Sequence, residues 1–311
     1  MFEKPRIMKA CEVLLQHKRL ILFCLGGTLL MAVLVLLALI RPTGSQAKAT
    51  WIWDTKAIEE RQDEILAFAG KQGVKVIFLQ IGGGVGRESY RGFVRAAAEA
   101  GIEVHALNGQ PDWALRERRA EAEKFLDWVI AYNREAQPEE RFAGVQFDVE
   151  PYLLNEWRQD RESVVREWME GIRAWTEEAG YNGLEIGAAV PFWLDEIDHP
   201  GRSTKLPLGD WMVDRFDYLA IMAYRDGAGH IYEISQTTLS EADRMKKKVW
   251  VGVELGESRE GPGVSFYKQP LASLTREITR LEELGRKHAS FAGVAVHSYE
   301  SWRNKLNGTE K

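Results

Sequence analysis

The sequence predicts an α/β protein built as a (β/α)8 TIM barrel behind an N-terminal transmembrane helix. Three observations lead there: eight short β-rich runs after residue 50, amphipathic helical stretches between them, and one uncharged apolar run near the start of the chain.

The N-terminal part comes first. Residues 1–19 form a basic segment carrying Lys4, Arg6, Lys9, Lys18 and Arg19. Residues 20–40 hold no charged side chain and are long enough to cross a bilayer as one helix. Basic residues ahead of the span predict a cytoplasmic N-terminus and a barrel outside the cytoplasm, at a cell surface or in a periplasm. Residues 41–49 read as a short polar linker and residues 50–311 as the barrel domain. A cleaved signal sequence is the alternative, because Ala47-Lys48-Ala49 has the small-x-small form of a cleavage site. The apolar run is longer than the roughly 7–15 residues of a signal core, which favours an uncleaved anchor.

Both cysteines, Cys11 and Cys24, precede the barrel, so the barrel is expected to fold without a disulfide. Residues 1–49 hold seven Lys/Arg and two Asp/Glu, which leaves 34 basic against 44 acidic residues and a net charge of −10 for the remainder. That balance argues against nucleic acid as a partner. Neutral or cationic glycans are compatible with it.

The β-rich runs are 50–55, 74–82, 102–108, 142–152, 184–193, 218–226, 249–254 and 291–299. Between them, Leu271, Leu274, Ile278, Leu281 and Leu284 recur at helical spacing, as do Phe93, Ala96, Ala97 and Ala100 before the stop at Gly101. A doubly wound open sheet would also alternate strand and helix, but it would bring a Gly-rich turn after its first strand. Trp51-Ile52-Trp53-Asp54-Thr55 has none. Residues 82–86 are Gly-rich but lack a P-loop lysine and the dinucleotide spacing, so they read as a flexible loop.

Run 142–152 carries the chemistry. Val145, Phe147 and Val149 alternate with Gln146, Asp148 and Glu150, the period of a strand with one apolar and one polar face. Same-side residues lie roughly 7 Å apart, so the two carboxyls feel each other's charge. In such barrels the active site lies at the C-terminal ends of the strands. Those ends supply Asp54, Gln80, Asn108, Asp148, Glu150, Trp193, Tyr224, Arg225, Asp226, Glu254, His297 and Tyr299. Trp53, Trp113, Trp193 and Trp302 stand at or near strand ends, where a flat ring can stack on a sugar. There is no zinc-spaced His/Cys cluster and no strand-end lysine for a Schiff base, so neither metal nor cofactor is expected. Paired acids among aromatics suit glycoside chemistry and an oligo- or polysaccharide substrate. His105 reads as a satisfied interior histidine, and Glu254 has a structural alternative as the partner of Arg225.

Gly144-Val145-Gln146-Phe147-Asp148-Val149-Glu150 resembles the fourth-strand D-G-x-D-x-D-x-E motif of family 18 glycoside hydrolases, the chitinase-like barrels. Met222-Ala223-Tyr224 is similar to that family's sixth-strand M-x-Y. The resemblance implies Glu150 as general acid, Asp148 as the helper that orients an N-acetyl group, and Tyr224 as a partner of the acetamide that attacks the anomeric carbon. It departs at Ala143 and Gln146, which stand where the motif has acids, at Arg225, where the family has Asp, and at His297, where a Trp often floors the sugar site. Val149-Glu150-Pro151 is also similar to the fourth-strand Asn-Glu-Pro of the clan A retaining glycosidases. That resemblance would make Glu150 the acid/base and Glu254, at the end of the seventh run, the nucleophile. A barrel that binds glycan without cutting it is the third reading, and Gln146 is its support. Trp53, Asp54, Gln80, Asn108, Gln146, Trp193, Arg225, His297 and Tyr299 are the expected substrate contacts.

Overall fold

The computed structural model describes residues 46–82, 84–200 and 206–308. The predicted basic segment 1–19, the span 20–40 and both cysteines lie outside the described residues. Among the described residues no helix is long and apolar enough to cross a membrane.

Eight parallel strands close into a barrel in chain order: β1 Lys48–Ile52, β2 Val74–Gln80, β3 Glu103–Asn108, β4 Gly144–Phe147, β5 Glu185–Pro191, β6 Tyr218–Met222, β7 Lys248–Glu254 and β8 Phe291–His297. β8 pairs with β1 and seals the ring. The helices that follow the strands are α1 Gln62–Gln72, α2 Arg87–Glu99, α3 Arg119–Glu135, α4 Arg161–Tyr181, α5 Leu208–Arg215, α6 Ala228–Met245, α7 Leu271–Gly285 and α8 Tyr299–Leu306. The apolar stripe of α7 buries Leu274, Ile278 and Leu281. That of α2 buries Phe93 and Ala97, while Ala100 falls past the last helical residue and is exposed.

β1 begins inside the predicted linker. Lys48 pairs with Glu282 at 2.9 Å, and Ala49 is fully buried. The strand starts earlier than its β-rich run because those two residues have a sheet partner in β2 and a charge partner on α7.

Side chains alternate between two compartments. On β4, Val145 and Phe147 join the outer layer between sheet and helices, where Phe147 stacks on Trp175 at 4.7 Å. Inward residues fill the lumen, and aromatic ones dominate it: Trp51, Phe78, Tyr218 and Trp250 form one cluster with Leu107 and small alanines. Rings of this size fit only where a facing strand gives way. A Cβ on Gly187 would meet the Tyr218 ring at 2.1 Å, and one on Gly144 would meet His105 Nδ1 at 2.6 Å. His105 is buried, with Nδ1 3.0 Å from the Tyr218 hydroxyl, as expected of an interior histidine.

Candidate active site

The chemistry is gathered where the inward rows of β1, β4, β6, β7 and β8 run out. Gln146 on β4 shares its inward parity with Asp148 and Glu150 beyond the last paired residue, and Tyr152 follows on a short 3-10 helix, Pro151–Leu153. The Asp148 amide still donates to the Asn108 carbonyl at 3.1 Å, which keeps the chain extended. β3 approaches so closely that a Cβ on Gly109 would sit 1.8 Å from the Asp148 carbonyl. Glycine there lets the two chains pass.

Gln146 is fully buried, and its Oε1 accepts from Trp51 Nε1 at 2.8 Å. Its Nε2 has no hydrogen-bond partner, although it lies near the Tyr218 phenol. It belongs to the lumen packing below the mouth, not to the substrate contacts expected of it, because two residues of strand separate it from the acids. Asp148 is partly open as a residue, yet its Oδ1 is shut off from solvent and has no hydrogen-bond partner. Burial first, and then the charge of Glu150, push its pKa up to about 7 against a partial offset from His297. Asp148 therefore holds a proton over much of the range in which an ordinary carboxyl is ionised.

Glu150 accepts a hydrogen bond from the Tyr152 hydroxyl. Burial and the charge of Glu150 raise the Tyr152 pKa, so the phenol stays a donor. Tyr152 in turn packs edge-on against Trp193 at 5.1 Å and Trp157 at 6.4 Å, forming an aromatic wall beside the acid. Tyr152 and Trp157 are absent from the expected site residues. Tyr152 sits on the 3-10 helix Pro151–Leu153, where the two-residue alternation of a strand no longer holds, so no periodic pattern marks it. Trp157 sits on a one-turn helix, Asn155–Gln159, that carries no signal of its own.

Across the mouth, Tyr224 extends beyond β6 and is charge-coupled to Glu254, Asp148 and Glu150, and burial raises its pKa well above the ordinary phenol value. Gly252 makes room for its ring, since a Cβ there would touch Tyr224 Cε1 at 3.2 Å. Glu254 does not pair with Arg225. Its Oε2 lies 2.7 Å from His297 Nδ1, and its Oε1 accepts from the Gly256 amide at 2.5 Å. Arg225 instead lies over the Phe192 ring at 4.9 Å and donates to the Tyr224 carbonyl at 2.7 Å. His297 Nε2 is 2.9 Å from Trp53 Nε1. Gln80 donates to Asn108 Oδ1 at 3.3 Å, which ties the ends of β2 and β3 together beside the acids.

The remaining expected contacts lie elsewhere. Asp54 is exposed and pairs with Arg61 at 3.3 Å, because Trp51 and Trp53 take the inward parity and residue 54 faces out. Tyr299 is buried against Phe68 at 5.2 Å, because α8 begins there and the two-residue alternation stops. Trp113 packs on Phe147 and Trp302 on Phe68, both in the outer layer. Glu300 is a residue that the strand pattern could not reveal. Its Oε1 accepts from the backbone amides of Trp53 and Asp54 at 3.1 and 3.2 Å, which pins the end of β1 to the end of β8.

Solved structures share this architecture. The C-terminal domain of a protein described as a chitinase, from Desulfitobacterium hafniense, aligns with TM-score 0.56 and 13% identity over 86% of this chain and 97% of its own. A chitinase from Bacteroides thetaiotaomicron aligns with TM-score 0.53 and 14% identity over 83% of this chain and 91% of its own. The spore cortex-lytic enzyme of Bacillus megaterium aligns with TM-score 0.51 and 9% identity over 82% of this chain and 71% of its own. No family model matches the sequence, and no curated protein does. The chain has the fold of the chitinase-like (β/α)8 barrels.

Proposed function

We propose that the barrel is a glycoside hydrolase for an N-acetylated glycan, with Glu150 as general acid and Asp148 and Tyr224 assisting. One observation carries the reading: Asp148, with a pKa near 7, is held on the same inward row as Glu150 and within electrostatic reach of Tyr224. Glu150 would protonate the leaving oxygen while the substrate's own acetamide oxygen attacks the anomeric carbon. Asp148 can accept from the acetamide N–H, which strengthens the acetamide oxygen as the nucleophile, and the neutral Tyr224 hydroxyl can hold that oxygen in place. Water then opens the cyclic intermediate, with Glu150 taking back the proton. The fold shared with two chitinases and a cortex-lytic enzyme supports a glycan ligand.

In the clan A reading Glu254 attacks the sugar. The geometry weighs against that, because both of its oxygens are engaged, one by His297 and one by the Gly256 amide. Turnover of chito-oligosaccharides and of peptidoglycan strands by Glu150→Gln decides the acid. It should fall by about 10²–10⁴-fold or more with folding and glycan binding retained. Unchanged turnover would eliminate Glu150. A covalent glycosyl adduct on Glu254 would establish the clan A mechanism. Binding of glycan with no turnover by the wild-type chain would make the barrel a lectin.

The barrel is further proposed to lie outside the cytoplasm on an uncleaved anchor formed by residues 20–40. Cleavage after Ala49 would remove the first two residues of β1, including the Lys48–Glu282 pair. N-terminal sequencing of the mature protein tests this, and a terminus at Thr50 would overturn the anchor.

A further inference from the structure

The side chains that join β1, β7 and β8 form a chain of hydrogen bonds that the proton transfer at Glu150 does not use. An indole N–H can only donate. Trp53 Nε1 lies 2.9 Å from His297 Nε2, so that nitrogen must be a bare acceptor. The ring proton of a neutral imidazole is then on Nδ1, 2.7 Å from Glu254 Oε2. Glu254 is fixed behind it, since its other oxygen accepts from the Gly256 amide and its backbone carbonyl accepts from the Phe266 amide at 2.9 Å. Carboxylate, imidazole and indole thus stand in line, with the tautomer set from both sides. The Trp53 ring at the end of this line is half-buried, resting on the lumen cluster at the C-terminal end of the barrel.

We infer that Glu254 and His297 are a positioning pair that fixes the Trp53 indole as one wall of the sugar-binding mouth, and that the wall is released when His297 takes a second proton. The hydrolase reading supplies the ligand in this inference, whereas the hydrogen-bonded line stands without it. Protonation of Nε2 would set two N–H groups against each other across 2.9 Å.

The groups facing His297 divide over this proton. Burial disfavours the imidazolium. The hydrogen bond and charge of Glu254 from β7, with the charges of Asp148 beyond β4 and Glu300 after β8, outweigh burial and raise the His297 pKa. Tyr224 beyond β6, 5.8 Å away between ring centroids, is kept neutral by its own burial. Trp51 contributes only a ring edge at 5.6 Å, while Trp53, edge-on at 5.8 Å, donates its N–H to Nε2 and so opposes the second proton. The wall is complete on the alkaline side of the His297 titration and loosened on the acid side.

The test uses the full-length chain with isotope-labelled tryptophan and no glycan. The Trp53 indole resonance, assigned by its loss in Trp53→Phe, should move in one step as the pH falls through the His297 titration. In His297→Gln the amide can accept from the indole and donate to Glu254 without titrating, so the resonance should stay near its alkaline position throughout. Glu254→Gln removes the strongest favouring charge and should move the step about one pH unit or more toward acid. With chito-oligosaccharide, His297→Phe should raise KM on the order of tenfold with a smaller change in kcat, because the wall binds and does not react. A wild-type resonance indifferent to pH, an unaltered step in His297→Gln, or an unchanged KM in His297→Phe would each overturn the inference. The resonance is read without glycan, so a wild-type chain that cleaves no glycan defeats the hydrolase reading and leaves the hydrogen-bonded line standing.

Discussion

Gln146 and Asp148 stand two residues apart on the same inward row, and the barrel treats them in opposite ways. Gln146 is fully enclosed by lumen aromatics and carries no charge in either pH extreme. Asp148 lies one layer higher, open on one side, with a closed-off oxygen and a proton that leaves near pH 7. A separation of roughly 7 Å along a strand is enough to move from packing to chemistry. Below, a polar side chain must be neutral because nothing can solvate a charge. Above, partial burial raises the pKa without forbidding ionisation.

The largest break in this contrast comes from Asp148→Asn. Turnover should fall on the order of 10²-fold or more, the cost of losing a positioned electrostatic partner. Stability should move the other way. The folded Asp148 keeps its proton between the unfolded value of 3.8 and about 7, so the folded state binds more protons there and stability falls as pH rises through that window. The asparagine variant lacks this slope. It should match wild type near pH 3 and exceed it at pH 8 by on the order of 2–4 kcal/mol, read as a higher Tm. Equal Tm differences at both pH values would mean that Asp148 is solvated in the folded protein.

Gln146→Glu tests the lower layer. Trp51 could still donate to it, but an ionised carboxylate there has no other compensation. The variant should lose about 2–4 kcal/mol at neutral pH, and the loss should shrink in acid as the new carboxyl protonates. A Tm unchanged at pH 8 would show that the lumen admits water. Asp54→Asn should do least. It removes an exposed ion pair with Arg61, so stability should stay within about 0.5 kcal/mol and glycan turnover should not change. A loss of turnover in that variant would bring Asp54 back into the mouth.

Strand parity explains where residue patterns sufficed. Inward and outward faces of β4 were legible from Val145 to Glu150, because a strand of fixed period and an apolar outer layer leave one arrangement. Applied to β1, the same parity places Trp53 inside and Asp54 outside. Where the parity ended, the pattern said nothing. Tyr299 turned outward at the first residue of α8, and Tyr152 meets Glu150 from a 3-10 turn that strand parity does not describe. Glu300 and the Gly256 amide act through side chain to backbone bonds between segments distant in sequence, for which no local pattern exists.

By itself the sequence determined the barrel, the order of its strands and the carboxyl row at Asp148 and Glu150. Those follow from periodicity, which is a local property of the chain. Only the tertiary structure decided which partners the mouth residues take: Glu254 with His297 and not Arg225, Trp53 with His297, and Asp148 with a proton. These depend on distances between strands that meet only when the ring closes, and on how far each group is withdrawn from water once it has closed.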